Sequence, residues 1–291
     1  LRSDYALIDS RACAAHKEPR PETIVETMDK LHIEPTAKRS RGLERAFEIL
    51  DYLRVSRAPA NPNEIAARIK APRSTVYELV NLLLSNGVLE YCDDEGRVYL
   101  GRKLYFLGAA YEDHFNFIRE CDRALSKVAE QTRETAQFCM LDENKYTVVR
   151  MHEGARPFRI SSDVGQRVPI PWTASGRLLL SHLNDAEILA FIPPEDFQLP
   201  NGQWLAPEVF LREVHAAREA RAFTFDSIVD SFTHCFAVPV ENDHGKFCAT
   251  VCLVAPRDDG IRNHDMYLQS LREAALSLKG KVSAFQRDQS V

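Results

Sequence analysis

Residues 72–87 read Pro-Arg-Ser-Thr-Val-Tyr-Glu-Leu-Val-Asn-Leu-Leu-Leu-Ser-Asn-Gly. Pro72 suits the first turn of a helix, where its missing N–H costs nothing. Val76, Leu79, Val80 and Leu83 recur at spacings of three and four, so one face is apolar. Gly87 stands where a helix ends. Arg73, Ser74, Thr75 and Tyr77 crowd the opposite side of the first turn. A helix buried on one face, with these side chains displayed at its start, suits contact with a polyanion.

The neighbouring residues extend this pattern. Residues 41–57 hold Leu43, Ala46, Phe47, Leu50 and Leu53 at helical spacing. Asn61-Pro62-Asn63 reads as a turn and cap, and Glu64 to Ile69 as a short second helix. Lys70-Ala71-Pro72 connects tightly into the third, giving a helix-turn-helix. Val88–Tyr91 and Arg97–Leu100 flank the turn cluster Asp93-Asp94-Glu95-Gly96, which predicts a hairpin. Three helices followed by a hairpin make a winged helix-turn-helix over residues 41–101. Eight basic and nine acidic residues leave this module at net −1, without the strong positive balance of a phosphate binder. The positive charge is clustered, however. Lys38, Arg39, Arg41 and Arg45 flank the first helix, and Lys70 and Arg73 the third. The candidate nucleic-acid contacts are therefore Arg41, Arg73, Ser74, Thr75, Tyr77 and Glu78. The alternative is a signalling adaptor, whose helical domain binds protein and whose second domain senses a small molecule.

The chain has 291 residues, 45% of them hydrophobic, and a formal charge of −5. That length allows two domains, each burying its own core. No run of eighteen apolar residues suggests a membrane span, and no secretory leader is expected. Seven cysteines at irregular spacing read as reduced thiols, and a cytoplasmic location is expected. Residues 1–40, interrupted by Pro19, Pro21 and Pro35, are expected to be a flexible arm, with a short helix over 22–33.

Residues 102–118 predict a linker helix whose face carries Leu104, Leu107, Tyr111, Phe115 and Ile118. Such a face needs cover, from a second copy of the chain or from the domain that follows. Over 119–291, helix is expected at 119–133, 172–183, 207–221 and 264–286. Strands are expected at 135–141, 146–152, 157–162, 223–226, 235–240 and 247–254. This is an α+β domain, an antiparallel sheet flanked by helices.

His234, Cys235, His244, Cys248 and Cys252 invite a metal site, but on a strand Cys248 and Cys252 would share a side too far apart for one tetrahedral ion. His234 and Cys235 would point to opposite faces of a strand, which disfavours a nucleophilic pair. No phosphate-binding loop or Gly-x-Ser-x-Gly occurs. Neither catalysis nor a metal or other cofactor is expected.

Arg73-Ser74-Thr75-Val76, Tyr99-Leu100-Gly101, Gly165 with Pro169, Thr173-Ala174-Ser175-Gly176 and Cys235-Phe-Ala-Val-Pro239-Val240 occur in that order. From about residue 41 to residue 286 the chain thereby resembles the IclR family of bacterial transcription regulators. The resemblance implies a winged helix-turn-helix, a linker helix and a C-terminal GAF-like domain that binds a small organic effector, such as a carboxylic acid. It implies dimers or tetramers on palindromic operators in double-stranded DNA. Carried over by position, it implies effector contacts at Val168, Ala174, Ser175, Asp226, Thr233, Cys235, Cys252 and Val254. Asp226 needs a one-residue gap to match. Two residues depart from the family pattern: Glu78 stands where many members carry Arg, and Arg177 where Lys is usual.

Overall fold

The computed structural model describes residues 37–114, 116–156 and 163–284. The expected arm up to residue 36 and the expected strand at 157–162 lie outside them. So do Phe115 of the linker face and residues 285–286 of the last helix.

Three helices open the described chain: α1 (Ala37–Ser56), α2 (Pro62–Arg68) and α3 (Arg73–Ser85). Asn61 caps α2, accepting from the N–H of Asn63 and Glu64, while Glu64 reaches back to the Asn61 N–H. This capping box fixes where α2 begins. Lys70 takes φ 51° in the turn before α3. At the far end of α3, Gly87 has φ 69°, and the N–H groups of Gly87 and Val88 bond Leu84 and Leu83 carbonyls. That pairing is the Schellman arrangement, which favours glycine because of the left-handed φ. β1 (Leu89–Tyr91) and β2 (Val98–Leu100) pair antiparallel as the wing.

Ile49, Leu53, Ile65, Val76, Val80, Leu89 and Val98 form the core of this module. The first helix is rotated from the expected face. Ile49 is buried, while Leu43 and Phe47 are 62% and 59% exposed. A helix with apolar residues on two sides has two candidate faces; packing of α3 and the wing selected the one carrying Ile49 and Leu53. Lys38, Arg39, Arg41 and Arg45 lie within α1, which starts at Ala37, rather than beside it.

α4 (Arg102–His114) and α5 (Asn116–Thr132) follow. They lead into a six-stranded antiparallel sheet ordered β5-β4-β3-β8-β7-β6. Its strands are β3 (Ala136–Asp142), β4 (Lys145–His152), β5 (Arg167–Pro169), β6 (Phe223–Asp226), β7 (Thr233–Glu241) and β8 (Phe247–Pro256). Between β5 and β6 lie α6 (Ala174–Leu179), α7 (Asp185–Phe191) and α8 (Pro207–Ala220). α9 (Arg257–Arg262) and α10 (His264–Leu278) follow β8. β5, α7 and α9 differ from the expected elements, because three to seven residues are too short for a periodic signal.

Strand alternation divides two cores. Phe138, Phe236, Val238, Val251 and Leu253 pack against α5 and α10. Cys139, Ala237 and Cys252 face the opposite way, toward α6 and α8. Simple alternation would put Cys248 with Cys252, as expected. A bulge at Val240/Glu241, opposite Phe247 and Ala249, leaves Cys248 as the extra residue. Cys248 therefore joins the α5/α10 core.

Candidate functional site

α3 presents Arg73, Ser74, Tyr77 and Glu78 to solvent, with Thr75 half-buried; Val76 and Val80 anchor its inner face. Arg41 is exposed on α1. Three other cations of the module are engaged elsewhere. Arg97 pairs with Asp93 at 2.6 Å within the wing, Arg54 with Asp142 at 2.9 Å, and Arg57 with Asp163 at 3.6 Å. Arg68, Lys70 and Arg73 around the α2–α3 turn, like Arg41 and Arg45 on α1, have no ion pair among the described residues.

The second site is a cavity of about 350 Å³ on the α6/α8 side of the sheet. Seven of the eight positions expected around an effector line it: Val168, Ala174, Ser175, Thr233, Cys235, Cys252 and Val254. Asp226 does not. In the β6/β7 register Asp226 faces His234, whereas Phe225 faces Cys235. Its carboxylate bonds His234 Nδ1 at 2.8 Å and Arg257 at 2.9 Å, and these partners hold it below the ordinary carboxylate range. One residue along a strand reverses the face a side chain takes. The acid that lines the cavity is Asp230, in the turn between β6 and β7. Its oxygens accept from the N–H groups of Phe232 and Thr233 and from the Thr233 hydroxyl. Burial raises its pKa, but these hydrogen bonds outweigh burial and leave it lowered.

Sequence reasoning also missed Gln137, Tyr146 and Trp172 as lining residues. Alternation along β3 and β4 could have placed Gln137 and Tyr146 on the Cys252 side, had the strand order been known. Among the described residues no Lys, Arg or His lines the cavity. Ser175 is buried, and its Oγ accepts from the Thr250 hydroxyl at 2.8 Å. Enlarging it would strand a buried hydroxyl as well as fill space.

The wall carrying Ala174 and Ser175 is fixed by close packing. Thr173 caps α6 by accepting from the Gly176 N–H at 3.0 Å. A Cβ on Gly176 would lie 2.2 Å from the Ile170 carbonyl oxygen, so only glycine fits there. Arg177 is fully buried behind this turn. It donates to the carbonyls of Pro171 and Thr173 at 2.6 and 2.7 Å and pairs with Glu213 at 2.8 Å. Its guanidinium lies 4.9 to 5.3 Å from the rings of Phe210, Phe223 and Phe225. Burial pushes its pKa down, against the pull of Glu213. Lysine, with one charged nitrogen, could not make this fork of bonds.

Among the described residues no group of three or more His, Cys, Asp or Glu side chains is placed to hold a metal ion. No helix among them is long and apolar enough to cross a membrane.

Comparison with known proteins agrees with this two-part arrangement. Residues 42–92 match the IclR helix-turn-helix domain, and residues 109–279 match the C-terminal domain of the bacterial transcriptional regulator IclR. The HTH-type transcriptional regulator XynR of Escherichia coli K12 is 24% identical over 241 residues, 82% of this chain and 95% of XynR. An IclR transcriptional regulator from Alicyclobacillus acidocaldarius superposes with TM-score 0.71 at 21% identity, covering 83% of this chain and 98% of that one. An IclR homologue from Microbacterium hydrocarbonoxydans, solved with 4-hydroxybenzoate, gives TM-score 0.69 at 23% identity, covering 84% and 99%. An exposed recognition helix on a winged module, joined to an antiparallel-sheet domain enclosing a cavity, and two domain matches that together span most of the chain lead to one conclusion: this protein belongs to the IclR family of bacterial transcriptional regulators.

Proposed function

We propose that the chain binds operator DNA sequence-specifically through α3 and that a small organic acid in the 350 Å³ cavity controls this binding. The cavity is the observation that carries the proposal. Its volume suits a single-ring or short-chain molecule, and its lining is largely apolar with a few polar groups. A carboxylate entering it meets no basic side chain among the described residues. The N–H groups of Ala174 and Ser175, at the first turn of α6, have no helical partner and can donate to it. Gln137 and the Tyr146 hydroxyl supply further polar contact from the opposite wall. 4-Hydroxybenzoate, bound by the Microbacterium homologue, is a natural first probe.

In this proposal residues 41–101, within a fold that starts at Ala37, read DNA; 102–118 link; and 119–291 sense the effector. The exposed apolar side chains of α4 support self-association on a palindromic operator. Tyr105, Phe106, Leu107 and Tyr111 are 74%, 62%, 57% and 41% exposed in the single chain. Coupling would pass through contacts at the base of α1. Arg54 bonds Asp142, and Arg57 bonds Asp163 and the Val164 carbonyl. The segment from Asp163 continues into Gln166 and Val168 of the cavity wall.

Footprinting of the chain's own upstream region, with and without candidate acids, tests the proposal directly. Val168→Phe should fill the cavity and abolish the response while operator binding persists. If Val168→Phe responds with unchanged affinity, the effector binds elsewhere. If no duplex is protected under any condition, the adaptor reading replaces this one. The Arg54→Ala/Arg57→Ala variant should bind DNA and acid separately but lose their mutual effect.

A further inference from the structure

The cavity floor carries Cys252 with a second thiol, Cys139, directly behind it. Across the sheet, Gln137 of β3 opposes Cys252 of β8, Cys252 opposes Ala237 of β7, and Cys139 opposes Thr250. Cys139 and Cys252 are therefore diagonal neighbours on one face, and their sulfurs lie 3.5 Å apart. The Tyr146 hydroxyl sits between them, 2.8 Å from Cys139 Sγ and 3.6 Å from Cys252 Sγ. Cys252 lines the cavity; Cys139 lies behind it, fully buried. We infer that Cys252 and Cys139 form a peroxide-sensitive dithiol in the cavity floor, Cys252 meeting the oxidant from the cavity and Cys139 resolving it into a disulfide.

Three features support these roles. The sulfurs already lie 3.5 Å apart and must close to about 2.05 Å, which for diagonal neighbours takes side-chain rotation together with a small approach of the two strands. Only Cys252 of the pair is reached by a molecule inside the cavity. The contacts around the two sulfurs also differ. Hydrogen bonding from the Cys139 thiol, against the effect of burial, lowers the Cys252 pKa, with help from Tyr146. Burial pushes Cys139 well up. The sulfur that peroxide reaches from the cavity is the one that attacks, as its thiolate.

In the first step the Cys252 thiolate attacks one oxygen of hydrogen peroxide and the O–O bond breaks. The other oxygen leaves as hydroxide, and Cys252 becomes a sulfenic acid, oxidised by two electrons. Next the Cys139 sulfur attacks Cys252 Sγ. An S–S bond forms, the S–O bond breaks, and the departing oxygen takes the Cys139 proton and leaves as water. Overall two thiols and one peroxide give a disulfide and two waters. The new bond removes both S–H donors around the Tyr146 hydroxyl and draws Cys252 Sγ toward Cys139. An effect on gene control rests on the regulator proposal above; the disulfide does not.

The test uses the reduced full chain in a Cys248→Ser background, treated with hydrogen peroxide and digested with trypsin without reductant. A cross-link between peptides 134–145 and 247–257, lighter than their sum by two hydrogens and reversed by dithiothreitol, is expected. Cys139→Ser should leave a sulfenic acid on Cys252 that a dimedone probe captures, with Cys139→Ala as a second variant. Cys252→Ser should leave Cys139 reduced. Cys92, exposed on the surface, reports that peroxide was sufficient. Oxidised Cys92 with Cys139 and Cys252 both still thiols would overturn the proposal. So would a Cys235–Cys252 link, or Cys139 oxidised in the Cys252→Ser protein. Operator binding measured on the same oxidised sample separates the two proposals: a disulfide without any DNA binding, before or after oxidation, refutes only the regulator.

Discussion

Arg177→Ala should be among the most damaging single substitutions in the ligand domain. The guanidinium makes two charge-assisted bonds to carbonyls, at Pro171 and Thr173, and each such bond contributes roughly 1.5–3 kcal/mol. Breaking a buried ion pair costs about 3–5 kcal/mol, but the Glu213 side chain is 32% exposed and can rehydrate, which reduces that loss. Contact with three aromatic rings adds roughly 0.5–2 kcal/mol. These contributions overlap, so we expect about 4 kcal/mol in total rather than their sum. Against a typical stability of about 5–15 kcal/mol, the domain would be marginal. Urea unfolding followed by tryptophan fluorescence measures this, because both tryptophans, Trp172 and Trp204, lie in the ligand domain. Arg177→Lys keeps the charge but not the fork and should lose about half as much. In a double-mutant cycle with Glu213→Gln, the two losses should be strongly non-additive. A loss for Arg177→Ala within about 1 kcal/mol of zero, the range of an ordinary surface change, would refute the claim that Arg177 holds the cavity wall.

Three further outcomes follow from the geometry. Arg73→Ala should weaken binding to all duplexes alike and reduce the salt slope by about one; loss of sequence preference with intact non-specific affinity would make Arg73 a base reader instead. Charged residues at Leu107 and Tyr111 should give monomers with poor operator affinity, and a wild-type monomer in sedimentation at micromolar concentration would end the self-association proposal. Asp230 has a folded pKa below its ordinary 3.8, so its contribution to stability is present above that value and lost as pH falls through the folded pKa. Asp230→Asn should therefore lower stability at neutral pH and narrow the gap from wild type below about pH 4; an equal deficit at both pH values would locate the effect in packing.

The sequence by itself determined the recognition module. Its helices are short-range objects: Asn61 and Glu64 cap α2 within three residues, and Gly87 ends α3 through its own φ. Local chemistry of that kind is readable without knowing what packs where. Most of the cavity could also be located, because the Thr173–Gly176 turn and the Cys235 strand carry motifs that match a family. Tertiary structure decided which faces were used. α1 offered two apolar sides, and only packing showed that Ile49 turns inward and Phe47 outward. Asp226 lost its place in the cavity because register, set by pairing with β7, turned it toward His234. The bulge at Val240 sent Cys248 to the other core. The Cys139–Tyr146–Cys252 cluster joins residues 113 apart through the β3–β8 pairing. Strand order and register are properties of long-range pairing, and a period of two in one strand cannot reveal which strand lies beside it.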